Sequence, residues 1–283
     1  MDFAKVGTQS ILALVIGMVF AFVLPVGIAI IWIIKKKEPF TSVLAGAGTF
    51  LLFALILEKP IQNVLIFPTQ MGLAEHSLSS FINARPVLLS VIAALFAGVF
   101  EETGRLVAYK TVLKNRKNRE TSISHGIGHG GIEVIVILGL TYMTYLSYAL
   151  MINTGTFGTV VEQVRQQAPD QVDAIVKLAD QLSALTIAEV FPAFAERVFA
   201  VLYHIGASII VFYAARDRKK LWMYPLAIIL HTLMDLVAAL ALFKVIDLTN
   251  WQLEAIVLAF GFLTFCGAYF LLYKKDRIKG ESA

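Results

Sequence analysis

The chain has 283 residues with a formal net charge of +4; 58% of its residues are hydrophobic and only 16% are charged. Soluble domains have about 45–50% apolar and about 25% charged residues, so the composition excludes a soluble enzyme and a disordered protein. Cys266 is the only cysteine, which excludes an intramolecular disulfide and a disulfide-rich scaffold.

Seven apolar stretches are long enough to cross a membrane, because a helix needs about 20 mostly apolar residues to span the hydrocarbon core. In chain order they are Ser10–Ile34, Thr41–Leu57, Pro86–Ala108, Ile123–Leu150, Val190–Ala214, Leu221–Phe243 and Leu253–Tyr273. The sequence therefore predicts an all-α fold, a polytopic transmembrane helical bundle of seven spans that forms a single integral membrane domain over residues 1–283.

Lysine and arginine residues are concentrated at alternate ends of these stretches. The basic clusters are Lys35–Lys37, Lys110–Arg119, Arg216–Lys220 and Lys274–Lys279. Because positive residues accumulate in cytoplasmic loops, this distribution predicts an N-terminus outside the cell and a cytoplasmic C-terminus. Topology alone explains the basic loops, so we infer membrane lipid as the surroundings and no nucleic acid partner.

Two of the predicted outer connections are longer than turns. Ile61–Arg85 has an apolar start and a polar end, and a short re-entrant or interfacial helix there would make an eighth element. In the other connection, residues 156–187, apolar residues recur at helical spacing between charged ones. We expect an amphipathic helix there, either lying on the outer surface or capping the bundle.

Ten ionisable residues fall inside the predicted spans, where each costs at least about 2.5–3.5 kcal/mol on insertion scales. They are Glu101, Glu102, Arg105, His129, Glu133, Glu196, Arg197, His204, His231 and Asp235. Such residues usually face one another or a water-filled pathway, so they predict a buried polar site.

In the third span, Glu101 and Arg105 are four residues apart and so lie on one helix face. Arg105 is therefore expected to hold the Glu101 carboxylate ionised and oriented. Glu102 lies about 100° further round the helix and is expected to face elsewhere.

Two histidines have an acidic residue four positions later. His129 precedes Glu133 in the fourth span, and His231 precedes Asp235 in the sixth span. A carboxylate beside an imidazole fixes its tautomer and raises its basicity, so each spacing predicts a hydrogen-bonded pair.

At a rise of about 1.5 Å per residue, four side chains from different spans reach similar depths in the cytoplasmic half of the membrane. They are Glu101, His129, His204 and His231. We expect them to share one cavity that opens toward the cytoplasm or sideways between helices. Glu196 lies nearer the outside and is expected to form a structural pair with Arg197.

His125 lies one helical turn before His129, among Gly126, Gly128, Gly130 and Gly131. We interpret His125 as an interfacial residue. The glycines favour close helix packing or an open groove.

These motifs resemble those of the glutamic-type intramembrane proteases. The shared elements are Glu101-Glu102-x-x-Arg105, His129-x-x-x-Glu133, His204 and His231-x-x-x-Asp235. The sequence is similar to the CAAX prenyl endopeptidase and bacteriocin-immunity (ABI) group and to the PrsW proteases, and within this superfamily it most resembles the YhfC family of membrane peptidases. The CAAX proteases usually place the arginine one residue later, so the spacing here is PrsW-like.

The resemblance implies a peptidase whose water is activated by a glutamate, either Glu101 or Glu102. It also implies histidines that position this water and stabilise the oxyanion, which here are His129, His204 and His231, with Asp235 in the usual Asn/Asp place. Chemistry supports such a set, because peptide hydrolysis needs a base for water, donors at the developing oxyanion and an acid for the leaving amine.

The sequence thus predicts an intramembrane endopeptidase of the bacterial cell membrane that cleaves peptides or transmembrane proteins near the cytoplasmic half of the bilayer. We expect a catalytic core over residues 86–245, with accessory helices over 8–60 and 251–273, and no cofactor. A zinc peptidase with His129, Glu133, His204 and His231 as ligands is an enzymatic alternative. A proton- or cation-coupled transporter with an acid/His relay and a catalytically inactive scaffold are the alternatives from other classes.

Overall fold

The computed structural model describes residues 3–276, and every regular element in that range is a helix. Seven helices are long and apolar enough to cross a membrane, so the predicted all-α membrane fold is confirmed. From the first span to the seventh they are Thr8–Lys36, Phe40–Ile66, Pro86–Lys110, Glu120–Thr154, Ile187–Arg216, Arg218–Leu242 and Asn250–Asp276. Arg277 and Lys279 of the last basic cluster lie outside the described residues, and the orientation of the termini stays a prediction.

The second span is longer than the apolar stretch that predicts it. Wide π-helical turns cover Leu51–Glu58, and an α-helix over Lys59–Ile66 continues the span. Pro60 has no N–H to donate to the preceding turn, and the hydrogen-bond ladder is rearranged immediately before it, so the helix continues through the proline. The segment Ile61–Arg85 therefore begins inside the second span.

The rest of that segment holds a 3₁₀ turn over Pro68–Met71 and a short helix over Ser77–Asn83. Neither is long enough to cross a membrane, so within residues 3–276 there is no eighth spanning helix.

Tertiary contacts divide the described residues into two compact units, residues 3–24 with 134–194 and residues 25–133 with 195–276. The smaller unit contains the expected amphipathic segment as two helices, Gly158–Gln167 and Val172–Ala184. The second of these is amphipathic.

Within the smaller unit, this amphipathic helix packs through one apolar face. Ala179 and Leu182 are buried, while Asp180 and Lys177 are exposed. Just beyond the helix, the carbonyl of Leu185 accepts a hydrogen bond of 2.8 Å from the Ser10 hydroxyl of the first span. The helix is therefore tied to a membrane span through its C-terminal end.

In the larger unit, glycines of the fourth span allow neighbouring backbones to approach closely. A side-chain carbon at Gly128 would collide with the carbonyl of Val43 in the second span. At Gly126 such a carbon would lie 2.5 Å from Cα of Ile205 in the fifth span. Glycine is needed at both positions, and the expectation of close helix packing is confirmed.

The third and sixth spans lie antiparallel and in close contact. The hydroxyls of Thr103 and Tyr224 are 2.7 Å apart near one end of this contact. One turn before the glutamates, a side-chain carbon at Gly98 would lie 2.5 Å from the hydroxyl of Thr232. This spacing brings the acidic pair of the third span level with His231.

Candidate functional site: a buried centre of carboxylates, imidazoles and one guanidinium

Six ionisable side chains from four spans meet inside the larger unit, and all six are buried. We call this group the polar centre: Glu101, Glu102 and Arg105 from the third span, His129 from the fourth, His204 from the fifth and His231 from the sixth. The expected convergence of Glu101 and the three histidines is therefore found. Each charge faces a partner and not lipid, which removes much of its insertion cost.

Arg105 connects the members of the polar centre. Its Nε donates to the Glu102 carboxylate at 3.1 Å, and one terminal nitrogen lies 3.5 Å from a Glu101 oxygen and 2.7 Å from His204 Nδ1. The other terminal nitrogen donates to Ser208 Oγ at 3.1 Å. The planar fork of a guanidinium allows these several contacts, which a lysine ammonium at the same position would not reproduce.

The expectation that Glu102 faces away from this site is wrong. Glu102 is fully buried, and its carboxylate pairs with Arg105 as closely as 3.0 Å. Because residues three and four positions before an arginine lie on adjacent parts of one helix face, a single guanidinium reaches both glutamates. Glu102 also contacts His231 Nδ1 at 2.7 Å.

Glu101 is held by contacts from two further spans. His129 Nε2 lies 2.9 Å from its Oε2, and His231 Nε2 lies 3.8 Å from the same oxygen. The side chain of Glu101 keeps 9% of its surface exposed, whereas that of Glu102 has none. Glu101 is therefore the more accessible and the less tightly bound of the two carboxylates.

The sixth span supplies the predicted pair of His231 and Asp235. Their side chains approach to 3.5 Å, with Asp235 about one third exposed. His231 thus lies between a buried carboxylate, Glu102, and one that reaches a cavity.

The predicted pair of His129 and Glu133 is not formed. His129 bonds to Glu101, while Glu133 contacts His204 Nε2 and accepts a hydrogen bond of 3.1 Å from Arg197. Spacing within one helix places two side chains on a common face, but the fifth span packs closely against that face and supplies nearer partners for Glu133.

The pair of Glu196 and Arg197 forms as expected. Its guanidinium also binds Glu133, so Arg197 has a link to the polar centre that the sequence did not indicate. Glu133 therefore holds His204 from one side, and Arg105 holds it from the other.

Two residues of the site, Tyr203 and Ser208, were not recognised in the sequence, and His125, which was interpreted as interfacial, lies inside the protein. His125 is fully buried, with its ring nitrogens 3.2 Å from the hydroxyls of Ser208 and Thr49. Tyr203 is fully buried, and its ring lies 5.2 Å from that of His231. The four-residue spacing between His125 and His129 was the sequence feature that could have placed His125 in the site. No sequence feature indicates Ser208.

Three residues of the polar centre are arranged so that they could bind a metal ion. Ligand atoms of Glu101, His129 and His204 lie within 4.8 Å of one another. Two imidazoles with one carboxylate form a donor set typical of catalytic zinc, and buried His129 Nδ1 has no hydrogen-bond partner among the described residues. The residues therefore fit a metal, although a metal on His204 Nδ1 would have to replace the contact with Arg105.

This set differs from the zinc ligands considered from the sequence. It contains Glu101 and lacks Glu133 and His231. Glu133 is engaged by His204 and Arg197, and His231 is engaged by Glu102.

A cavity of about 870 Å³ reaches Asp235 from one end of the larger unit. It is bordered by the end of the second span, the beginnings of the third and seventh and the end of the sixth. In the orientation predicted from the basic clusters this end is the outer one, whereas the predicted opening was toward the cytoplasm or sideways. In the opposite direction along the third span, the buried rings of Tyr109 and Phe212 pack 5.4 Å apart.

Comparison with known proteins identifies related sequences. The family model described as YhfC intramembrane metalloprotease matches residues 20–258. The uncharacterized membrane protein YhfC of Bacillus subtilis (strain 168) is 30% identical over 236 residues, which cover 83% of this chain and 86% of that protein. No solved structure matches.

Proposed function

The chain belongs to the YhfC family and is a bacterial integral membrane protein, and from this premise we propose that it is an intramembrane endopeptidase. The observation that carries the proposal is the arrangement around Glu101, a carboxylate within 3.8 Å of two imidazoles and a guanidinium among membrane spans. A scaffold gains nothing from burying so many ionisable groups at one depth.

In the proposed reaction, water adds to the carbonyl carbon of a peptide bond, the C–N bond breaks, and the products are a carboxylic acid and an amine. Glu101 takes a proton from the water and then delivers one to the leaving amine nitrogen. The guanidinium of Arg105 and the imidazoles of His129 and His231 supply donors for the developing oxyanion.

We assign the role of base to Glu101 and a positioning role to Glu102. Glu102 is fully buried and engaged by Arg105 and His231, so its carboxylate orients these two donors. Glu101 retains exposed surface and has longer contacts to Arg105 and His231, which leaves one of its oxygens available to water.

The family description also implies a metal. Glu101, His129 and His204 would hold it, and when bound it would supply Lewis-acid activation of water. A metal held through His204 Nδ1 would compete with the contact between Arg105 and that nitrogen, whereas the pair of Arg105 and Glu102 would not be affected. Metal analysis of the purified protein separates the two versions: one tightly held zinc per chain that is lost in His129→Ala supports the metal site, and its absence supports a carboxylate acting alone.

The catalytic core remains proposed as residues 86–245. Every member of the polar centre falls within it, while Thr49, which lies 3.2 Å from His125, comes from the accessory region. We also retain the cytoplasmic C-terminus and the placement of the polar centre in the cytoplasmic half as proposals.

The test uses the purified protein in liposomes with a set of synthetic single-span peptides in water enriched in ¹⁸O. Hydrolysis places ¹⁸O in the new carboxyl terminus, which mass spectrometry detects. Glu101→Gln keeps the shape but not the basicity, and it should reduce cleavage by about 100-fold or more. The exposed Glu162→Gln is the matched control and should cleave at the wild-type rate. Full cleavage by Glu101→Gln would remove this carboxylate from the mechanism.

Transport by an acid/His relay is the alternative that the same preparation tests. A transporter needs a polar path from both sides, and the packed rings of Tyr109 and Phe212 on one side of the polar centre favour an enzyme. Proton flux through the wild-type protein without cleavage of any peptide would favour the transporter.

A further inference from the structure

The cavity beside Asp235 has polar side chains in a lining that is otherwise mostly apolar. Glu58, Lys59 and Gln62 of the second span border it, together with Gln70 and Asn250. Lipid chains have no groups that hydrogen-bond to such side chains, so a lipid tail would leave them unsatisfied.

The amide side chains in this lining match the needs of an unwound polypeptide backbone. Each amide offers both donors and an acceptor, as a peptide group does. Among the described residues, the Gln62 amide makes one side-chain hydrogen bond, a long one of 3.4 Å from its Nε2 to the carbonyl of Ala93. Most of its hydrogen-bonding groups are therefore free. Non-helical backbone is tolerated at membrane depth where it is buried in protein or lines a polar cavity.

A protease must expose the scissile peptide bond, which the backbone of an intact helix shields. A substrate span therefore has to unwind locally before water reaches its carbonyl carbon. The small side chains of Ala93, Ala94 and Ala97 on the third span and of Ala238 on the sixth leave room in the cavity for the side chains of such a segment.

The cavity also leads toward the polar centre. Asp235 lies in its wall, and the side chain of His231 is 3.5 Å from that carboxylate. His231 Nε2 lies 3.8 Å from Glu101 Oε2, and His231 Nδ1 lies 2.7 Å from Glu102 Oε1.

We propose that this cavity is the substrate-binding cleft, which takes a locally unwound segment of a transmembrane polypeptide from the end of the bundle opposite the basic clusters. The inference rests on the proposed function and specifies its substrate class and its side of entry. Asp235 guides the segment by accepting hydrogen bonds from its backbone N–H groups.

The first experiment tests access to the cavity without requiring activity. In a Cys266→Ser background, which removes the only native cysteine, single cysteines are placed by Ala97→Cys and by Ala238→Cys. A membrane-impermeant thiol reagent reacts with a thiolate in water, so it should label both positions from the outer side. Leu95→Cys is the matched control on the third span, because Leu95 is 43% exposed on the surface of the larger unit. We expect the cysteine of Leu95→Cys to be labelled at about one tenth of the rate of the cavity cysteines or more slowly, since lipid suppresses formation of the thiolate.

The second experiment tests the occupant, with the inactive Glu101→Gln added to prevent cleavage. The probes are two apolar single-span peptides that differ only in a central Gly-Gly or Leu-Leu pair. The Gly-Gly peptide unwinds more easily and should slow labelling at Ala97→Cys and Ala238→Cys by about tenfold. The Leu-Leu peptide should have little effect.

Three outcomes would overturn the proposal: no labelling from the outer side, equal protection by both peptides, or protection by added phospholipid and by neither peptide. A failure of the proposed function is distinguishable, because it would leave the Gly-Gly peptide protective and uncleaved by the wild-type protein.

Discussion

Replacing Arg105 with methionine tests whether the polar centre is held together by one guanidinium. The Arg105 side chain has no exposed surface and contacts both glutamates, His204 and Ser208. Methionine preserves much of its volume but leaves two buried carboxylates without their shared cation.

The size of the effect follows from this burial. Removing one partner of a buried ion pair costs about 3–5 kcal/mol, because the remaining charge is uncompensated. We expect Arg105→Met to lower the free energy of unfolding by that amount. Adding Glu102→Gln removes one of the stranded charges and should restore at least about 1 kcal/mol.

Unfolding is measured in mixed micelles by titration with a denaturing detergent and circular dichroism. Arg165→Met is the matched control, because Arg165 and Glu162 form an ion pair of 2.7 Å in which both side chains are about half exposed. Exposed pairs contribute about 0–1 kcal/mol, so this variant should unfold nearly as the wild type does. The reasoning is refuted if Arg105→Met is as stable as Arg165→Met, or if the added Glu102→Gln destabilises the protein further.

Two further variants test the packing and the hydrogen bonds around the polar centre in the same assay. Gly128→Ala should lower the free energy of unfolding by about 1–3 kcal/mol, because the added methyl group collides with the carbonyl of Val43. Gly267→Ala, which has open space around it, should be neutral or slightly stabilising. Equal stability of the two variants would contradict the close contact at Gly128. Ser208→Ala should lower the free energy of unfolding by about 1–3 kcal/mol, because its hydroxyl joins a guanidinium and an imidazole inside the protein. Ser147→Ala should change it by less than about 0.5 kcal/mol, because the exposed Ser147 hydroxyl bonds only to its own helix. A larger loss in Ser147→Ala than in Ser208→Ala would refute the bridging role.

The sequence by itself determined the membrane class, the number of spans and most of the charged residues that meet, with Glu102 as the exception. Apolar length fixes the spans, because the hydrocarbon core has a fixed thickness. The cost of a charge in lipid requires residues such as Glu101 and His231 to find partners inside the protein. Pairing within one helix was also predictable for His231 and Asp235, which stay in contact although Glu102 of the third span also reaches His231.

Only the tertiary structure decided which partner each group has. The helical period relates side chains of one helix, but it carries no information about the neighbour that faces them. His129 therefore bonds to Glu101 of another span, and Glu133 bonds to His204. The buried position of His125 depends in the same way on backbone contacts of its own span with its neighbours.

The cavity beside Asp235 likewise depends on the packing of the second, third, sixth and seventh spans. In the sequence its alanines are ordinary residues of apolar helices, and Gln62 and Gln70 belong to the predicted connecting segment, so none of them indicates a cavity. A cavity is the space that neighbouring helices leave unfilled, so it exists only once their relative positions are fixed.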